Sequence, residues 1–240
     1  MALVDYQGED HVALVTLNDG ENRFNPTFLD ALLGVLDEIE RDTEATTLVV
    51  RSAHEKIFSN GIDLEGFQQA MQRSDLAQAK DFLYRLNRLF KRLVTCPLVT
   101  VAAIGGHAFA GGAIFSCAFD FRFMRTDRGY FCLPEIDLGM PFLPGMNAIL
   151  RSAMPEAILR EMQLTGVRMT ARMCQDHGIV KGAYPRDQLL DAALRFARQV
   201  NKKRPIIAET KRRLNQAIVA AIDTQDPPYI ESVRWPMVGV

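Results

Sequence analysis

Apolar and polar residues alternate through Val12-Ala13-Leu14-Val15-Thr16-Leu17, just after Gly8-Glu9-Asp10. That two-residue period predicts a strand, closing a hairpin with the segment from Leu3 to Tyr6. The period changes after Asn25-Pro26-Thr27. Phe28, Leu32, Val35, Leu36 and Ile39 fall on one face of a helix, and Pro26 and Thr27 are placed to start it. A strand is predicted over Thr47 to Arg51, and a polar, Gln-rich helical stretch from about Leu64 to Val94. Pro97 then introduces the apolar run Leu98 to Ile104, suited to a parallel strand buried on both faces.

A further helix is expected to begin near Gly111, with strands at Phe121 to Met124 and Tyr130 to Leu133. Beyond Pro144 the pattern is helical almost throughout: about Asn147 to Ala153, Pro155 to Leu164, Ala171 to His177, Asp187 to Lys202 and Pro205 to Ile222. Strands alternating with helices and then giving way to helices imply an α/β core over residues 1–185 and a helical extension over 186–240.

Composition narrows the function classes. The 240 residues are 48% apolar and 24% charged, enough to bury a large core. A net charge of -1, from 28 basic and 29 acidic residues, gives no global attraction to nucleic acid or an anionic membrane, so neither is expected as a partner. The start MALVDYQGED lacks the basic and apolar pattern of a secretory signal, and no stretch reaches membrane-spanning length. Cys96, Cys117, Cys132 and Cys174 are scattered, without metal-ligand spacing, and read as reduced core thiols in a cytoplasmic protein. No metal or separate cofactor is expected.

Candidate chemistry concentrates in Phe58-Ser59-Asn60-Gly61-Ile62-Asp63-Leu64 and in Gly105-Gly106-His107-Ala108-Phe109-Ala110-Gly111-Gly112-Ala113-Ile114. Each follows a β run and leads towards a helix. Glycine at such a junction permits unusual dihedrals and close approach of a ligand, and a first helical turn leaves N–H groups unpaired and slightly positive. Two of these groups converging on one point would form an oxyanion hole. Taken singly, either pattern could serve a tight turn and nothing more.

Together, in this order and spacing, the two segments resemble the crotonase, or enoyl-CoA hydratase/isomerase, superfamily. The resemblance extends to Asn22-Arg23-Phe24-Asn25, to Pro134-Glu135-Ile136-Asp137-Leu138-Gly139 and to Leu164-Thr165-Gly166 followed by Ala171 and Gly178-Ile179-Val180. It implies an α/β fold of stacked ββα turns with C-terminal helices that mediate trimerisation, and assembly as a homotrimer or a dimer of trimers. It also implies an acyl-CoA thioester as substrate, with coenzyme A part of that substrate. Matching segments assign the carbonyl-binding N–H groups to Asn60 and Gly111. The implied substrate-binding set is Arg23, Phe24, Asn60, Gly61, Ile62, Asp63, Leu64 and Gly111.

The acids select among reactions. Hydratases of the family have two glutamates, one on the helix after the glycine turn and one on the following loop. Here the first position is Ile114, which leaves Glu135 as the candidate carboxylate. One base suits movement of a 3-enoyl double bond to the 2-position through an enolate, and the pattern resembles Δ3,Δ2-enoyl-CoA isomerases. Apolar Ile114, Phe109 and Leu138 are expected to raise the pKa of Glu135. The alternatives are another thioester reaction, hydration or hydrolysis, and a noncatalytic acyl-CoA or RNA-binding homologue.

Asp137, two residues on in a segment expected to be extended, is the rival base. His107 is expected to pack, Asp63 to cap a helix and Asp120 to order backbone. The clusters Lys202-Lys203-Arg204 and Lys211-Arg212-Arg213 read as solvated or capping, with Arg23 a candidate for a CoA contact. Phe67, Met71, Phe82, Met140, Phe142 and Leu143 are expected to set pocket depth.

Overall fold

The computed structural model describes residues 2–66 and 76–232. Strands β1 (Val4–Glu9) and β2 (Val12–Leu17) form the expected antiparallel hairpin, with Val4 opposite Leu17 and the turn made at Asp10, whose φ is 55°. Helix α1 (Pro26–Asp42) begins as its sequence dictates. The Asn25 side chain accepts the Phe28 N–H at 2.9 Å, and Pro26 takes a position where its missing N–H costs no helical hydrogen bond. Phe28, Leu29, Leu32, Leu33, Leu36 and Ile39 make its buried face.

The centre of the chain repeats one device three times, sending a strand into each of two sheets and then a helical segment. Strands β3 (Thr47–Ser52) and β4 (Ile57–Ser59) lead to a helical turn at 64–66, with α2 (Leu76–Val94) further on. Strands β5 (Val99–Ile104) and β6 (His107–Phe109) lead into α3 (Gly111–Cys117). Strands β7 (Phe121–Arg125) and β8 (Phe131–Cys132) lead through a 3-10 turn, Pro134–Ile136, to α4 (Pro144–Ala153). The expected helix from Leu64 to Val94 has its middle, with Phe67 and Met71, outside the described residues.

Helices α5 (Glu156–Thr165) and α6 (Ala171–Asp176) follow, then β9 (Gly182–Tyr184) and α7 (Arg186–Gln199). The chain ends in α8 (Arg204–Leu214), α9 (Gln216–Ala220), a π-helical turn at Ala221–Gln225 and α10 (Asp226–Ser232). Strand β9 falls between the helices expected over Ala171 to His177 and Asp187 to Lys202, where no strand is expected. Its three residues are too few for a period to be visible, and pairing with β7, Phe123 opposite Gly182, supplies the partner that makes it a strand.

The larger sheet has the order β1-β2-β3-β5-β7-β9, parallel except for the first hairpin, and the smaller has the order β4-β6-β8. One face of the large sheet meets α1, α2 and α3 in the main core. The other packs Val49, Val101, Ala103 and Phe123 against Leu189, Ala193 and Ala197 of α7. Both faces of β5 are therefore covered, as its unbroken apolar run requires. The small sheet sets the ends of β4 and β6 side by side, and with them the two glycine segments.

Candidate active site

Asn22 fixes the first glycine segment. Fully buried and at φ 50°, it donates from Nδ2 to the Phe58 carbonyl (2.9 Å) and to Ser52 Oγ (2.8 Å). Its own carbonyl accepts from Ser59 Oγ at 2.7 Å, and Ser59 Oγ accepts the Gly61 N–H at 3.2 Å. Phe24 then lies parallel to Ile62. The Phe24 N–H donates to the Gly61 carbonyl (2.7 Å), and the Asp63 N–H donates to the Phe24 carbonyl (3.0 Å).

These bonds decide which amide of the turn is free. The Asn60 N–H donates to the Glu21 carbonyl at 3.1 Å, so the assignment of Asn60 as a carbonyl-binding donor is corrected. The amides of residues 60, 61 and 63 are all committed. Among the described residues the Ile62 N–H has no protein acceptor. The cause is Gly61, whose φ of 75° reverses the peptide and turns the next N–H away from the Asn22 side.

Gly111 opens α3 directly opposite. The carbonyl of Ala110, itself at φ 50°, accepts from the N–H groups of Ala113 (2.9 Å) and Ile114 (3.1 Å), and the Gly111 N–H, a first-turn donor, has no protein acceptor among the described residues. A Cβ placed on Gly111 would lie 3.4 Å from the Ile62 nitrogen. The two amides thus stand side by side on one wall of a cavity of about 230 Å³.

Glu135 reaches the same cavity from the 3-10 turn after β8, which Pro134 begins. It is 7% exposed, and its Oε2 has no hydrogen-bond partner among the described residues. Burial pushes its pKa up to about 8, opposed in part by a backbone hydrogen bond. Ile114, Leu138, Met140, Phe142 and Met146 supply the apolar surroundings, and no other carboxylate lines the cavity among the described residues. Arg23 stands at its edge, half-exposed and paired with Glu21 at 2.6 Å. Asn60 borders it too, but its side chain bonds Glu21 and holds that carboxyl below its usual range.

Of the expected substrate-binding residues, Arg23, Asn60, Ile62, Leu64 and Gly111 meet at the cavity with Glu135. Phe24, Gly61 and Asp63 do not line it; Phe24 and Asp63 border a second, smaller cavity. Phe24 is fully buried, its ring 6.1 Å from Phe28 and 5.5 Å from Phe115, so its contribution is the backbone ladder to residues 61 and 63. Asp63 Oδ1 accepts the Gly66 N–H at 3.5 Å, the expected cap.

Asp137 is not on an extended segment; it caps the 3-10 turn, is exposed and faces Gly166. His107 belongs to β6. Its Nδ1 accepts the Tyr130 N–H at 3.3 Å, its ring meets Phe109 edge-on, and burial with nearby Arg168 and Arg128 lowers its pKa. Asp120 Oδ2 accepts from the N–H and hydroxyl of Thr100 and from buried Lys211 at 2.8 Å. Arg204 donates to carbonyls at the end of α1, and the exposed Arg212 and Arg213 pair with Glu209. Leu143 is buried away from the cavity and Phe82 lines a second, smaller one. Glu21, two residues before Arg23 in the sequence, joins the cavity edge through its bonds to Arg23 and Asn60.

The enoyl-CoA hydratase/isomerase family profile matches residues 7–232. A peroxisomal enoyl-CoA delta isomerase 1 of Arabidopsis thaliana is 31% identical over 185 residues, spanning 76% of this chain and 75% of the relative. A putative enoyl-CoA hydratase of Thermus thermophilus is 33% identical over 219 residues, spanning 88% and 81%. Among solved structures, human mitochondrial delta3-delta2-enoyl-CoA isomerase superposes with a TM-score of 0.85 over 96% of this chain and 90% of that one, at 24% identity.

Proposed function

The chain belongs to the enoyl-CoA hydratase/isomerase family, and on that premise we propose that it shifts the double bond of a 3-enoyl-CoA to the 2-trans position. The thioester oxygen sits between the N–H groups of Ile62 and Gly111. Glu135 takes a proton from C2, charge spreads from the oxygen through the double bond, and the same carboxyl returns the proton to C4. Atoms balance without a cofactor, because one proton leaves and one arrives.

The observation that carries this reading is a carboxylate, the only one lining the cavity among the described residues, desolvated and with its Oε2 unpartnered there, in the same cavity as Ile62 and Gly111. A thioester C2 proton is far less acidic than a carboxylic acid. Each oxyanion donor contributes about 3 kcal/mol of transition-state stabilisation, and conjugation with the double bond lowers the barrier further. Burial makes Glu135 a stronger base than an exposed glutamate, which narrows the gap from the other side.

Hydration is the second reading, favoured by a relative named as a hydratase. It would require Glu135 alone to orient and deprotonate water, since no other carboxylate lines the cavity among the described residues and position 114 is isoleucine. Purified protein mixed separately with 3-enoyl-CoA and 2-enoyl-CoA tests the two. Conjugation of the first with no water added to the second supports isomerisation; water addition without conjugation overturns it. The same family reading carries the proposal of a homotrimer or a dimer of trimers, tested by sedimentation.

A further inference from the structure

Asp226 is completely buried, eighty-one residues along the chain from the cavity-lining segment it touches. Its Oδ1 accepts the Gly145 N–H at 2.8 Å, in the first turn of α4, and its Oδ2 accepts from Asn87 Nδ2 of α2 at 2.9 Å. Helix α4 has no side-chain cap of its own, because the residue before it is Leu143. A carboxylate from the C-terminal segment therefore does the capping, satisfying an orphan donor and opposing the positive end of the helix. The fit is close: a Cβ on Gly145 would lie 2.6 Å from both Asp226 Oδ2 and Ile222 Cγ1.

The π-helical turn aims this residue. Pro227 and Pro228 lack the N–H groups that the carbonyls of Asp223 and Thr224 would take in an α-helix, and the Asp226 N–H bonds Ala221, five residues back. Flanking ion pairs hold the segment along α2: Lys91 with Asp223 at 2.6 Å, and Lys80 with Glu231 at 2.8 Å.

Between Glu135 and Gly145 runs the segment carrying Leu138, Met140 and Phe142, all on the cavity wall, with Met146 just beyond. Its near end is tied by the Met140 N–H to the Glu135 carbonyl at 3.0 Å, and its far end by Asp226. This stretch offers a ligand only apolar side chains, so it suits an acyl chain and not the polar pantetheine or nucleotide.

We infer that Asp226 is a positioning residue for acyl-chain recognition: its hydrogen bonds to Gly145 and Asn87 hold the apolar wall of the cavity in place. This rests on the acyl-CoA reading above, but is tested by binding alone. Affinities for decanoyl-CoA and butyryl-CoA, neither of which can isomerise, are measured by calorimetry for the wild type and for Asp226→Ala, Asp226→Asn and Gly145→Ala.

Asp226→Ala removes both bonds, and Gly145→Ala wedges the same joint from the other side and serves if the first fails to fold. Each is expected to lower the preference for decanoyl-CoA at least about threefold. Asp226→Asn keeps an acceptor for Gly145, and its amide can donate to Asn87 Oδ1, which has no partner in the wild type among the described residues; it is expected to retain the preference. A merely structural role would weaken both ligands alike. An unchanged ratio in the folded variants overturns the inference, and so does an equal loss in Asp226→Asn. If the wild type binds with chain-length preference but does not isomerise 3-enoyl-CoA, the isomerase reading alone fails.

Discussion

Gly61 and Gly111 meet backbone against backbone: a Cβ on Gly61 would stand 2.6 Å from the Gly111 nitrogen. This contact sets Gly111 against the turn that carries Ile62, and the proposed carbonyl site depends on it. It also means that neither residue can change without moving the other.

Gly61→Ala meets two costs at once, the left-handed φ of 75° and the collision with Gly111. The conformational part costs about 1–2 kcal/mol in stability, and displacement of one oxyanion donor is expected to lower kcat about a hundredfold or more. Thermal unfolding and steady-state rates measure the two separately. Full activity in the alanine variant would mean that the amides are not the carbonyl site.

Glu135→Gln keeps the shape of the side chain but cannot take a proton. Isomerisation is expected to fall by at least about a thousandfold, while the affinity for a saturated acyl-CoA stays within about threefold. Near-normal turnover by the folded variant would remove Glu135 from the reaction.

The raised pKa of Glu135 has consequences for rate and for stability. As a base it must be ionised, so kcat/KM is expected to climb roughly tenfold per pH unit up to about 8 and then level off. In the unfolded chain the same group ionises near its ordinary value of 4.5, so from there to about 8 the native state holds more protons. Stability from this residue is present at low pH and is lost as pH rises through that window. Glu135→Gln, free of that loss, is expected to unfold at a higher temperature than the wild type at pH 9, a comparison that calorimetry makes directly.

Ile114→Glu places a second carboxyl on the cavity that Glu135 lines. Because position 114 is 1% exposed, the variant is expected to lose about 2–4 kcal/mol of stability. It is also expected to gain measurable addition of water to 2-enoyl-CoA. A stable variant with no hydratase activity would show that the missing acid is not what separates the two reactions here.

Periodicity made most elements legible. The helix of Phe28, Leu32 and Ile39 and the strand of Val99 to Ile104 record their burial in the order of their own residues. Strand β9, three residues long, carried no such record and depended on β7 for its existence. Asp137 illustrates the opposite failure: reading it as part of an extended segment set it beside Glu135, whereas the turn begun at Pro134 sends it to solvent.

The amino-acid order by itself determined the α/β class, the two glycine junctions and the choice of isoleucine at 114 with glutamate at 135, because each is written in residue type or short-range spacing. Tertiary structure alone decided that Asn60 gives its amide to Glu21 and leaves Ile62 free, that Glu135 is dry enough to titrate near 8, and that Asp226 reaches Gly145. Those outcomes depend on hydrogen bonds and packing between segments tens of residues apart, whose relative placement is set by the sheets and not by any local period.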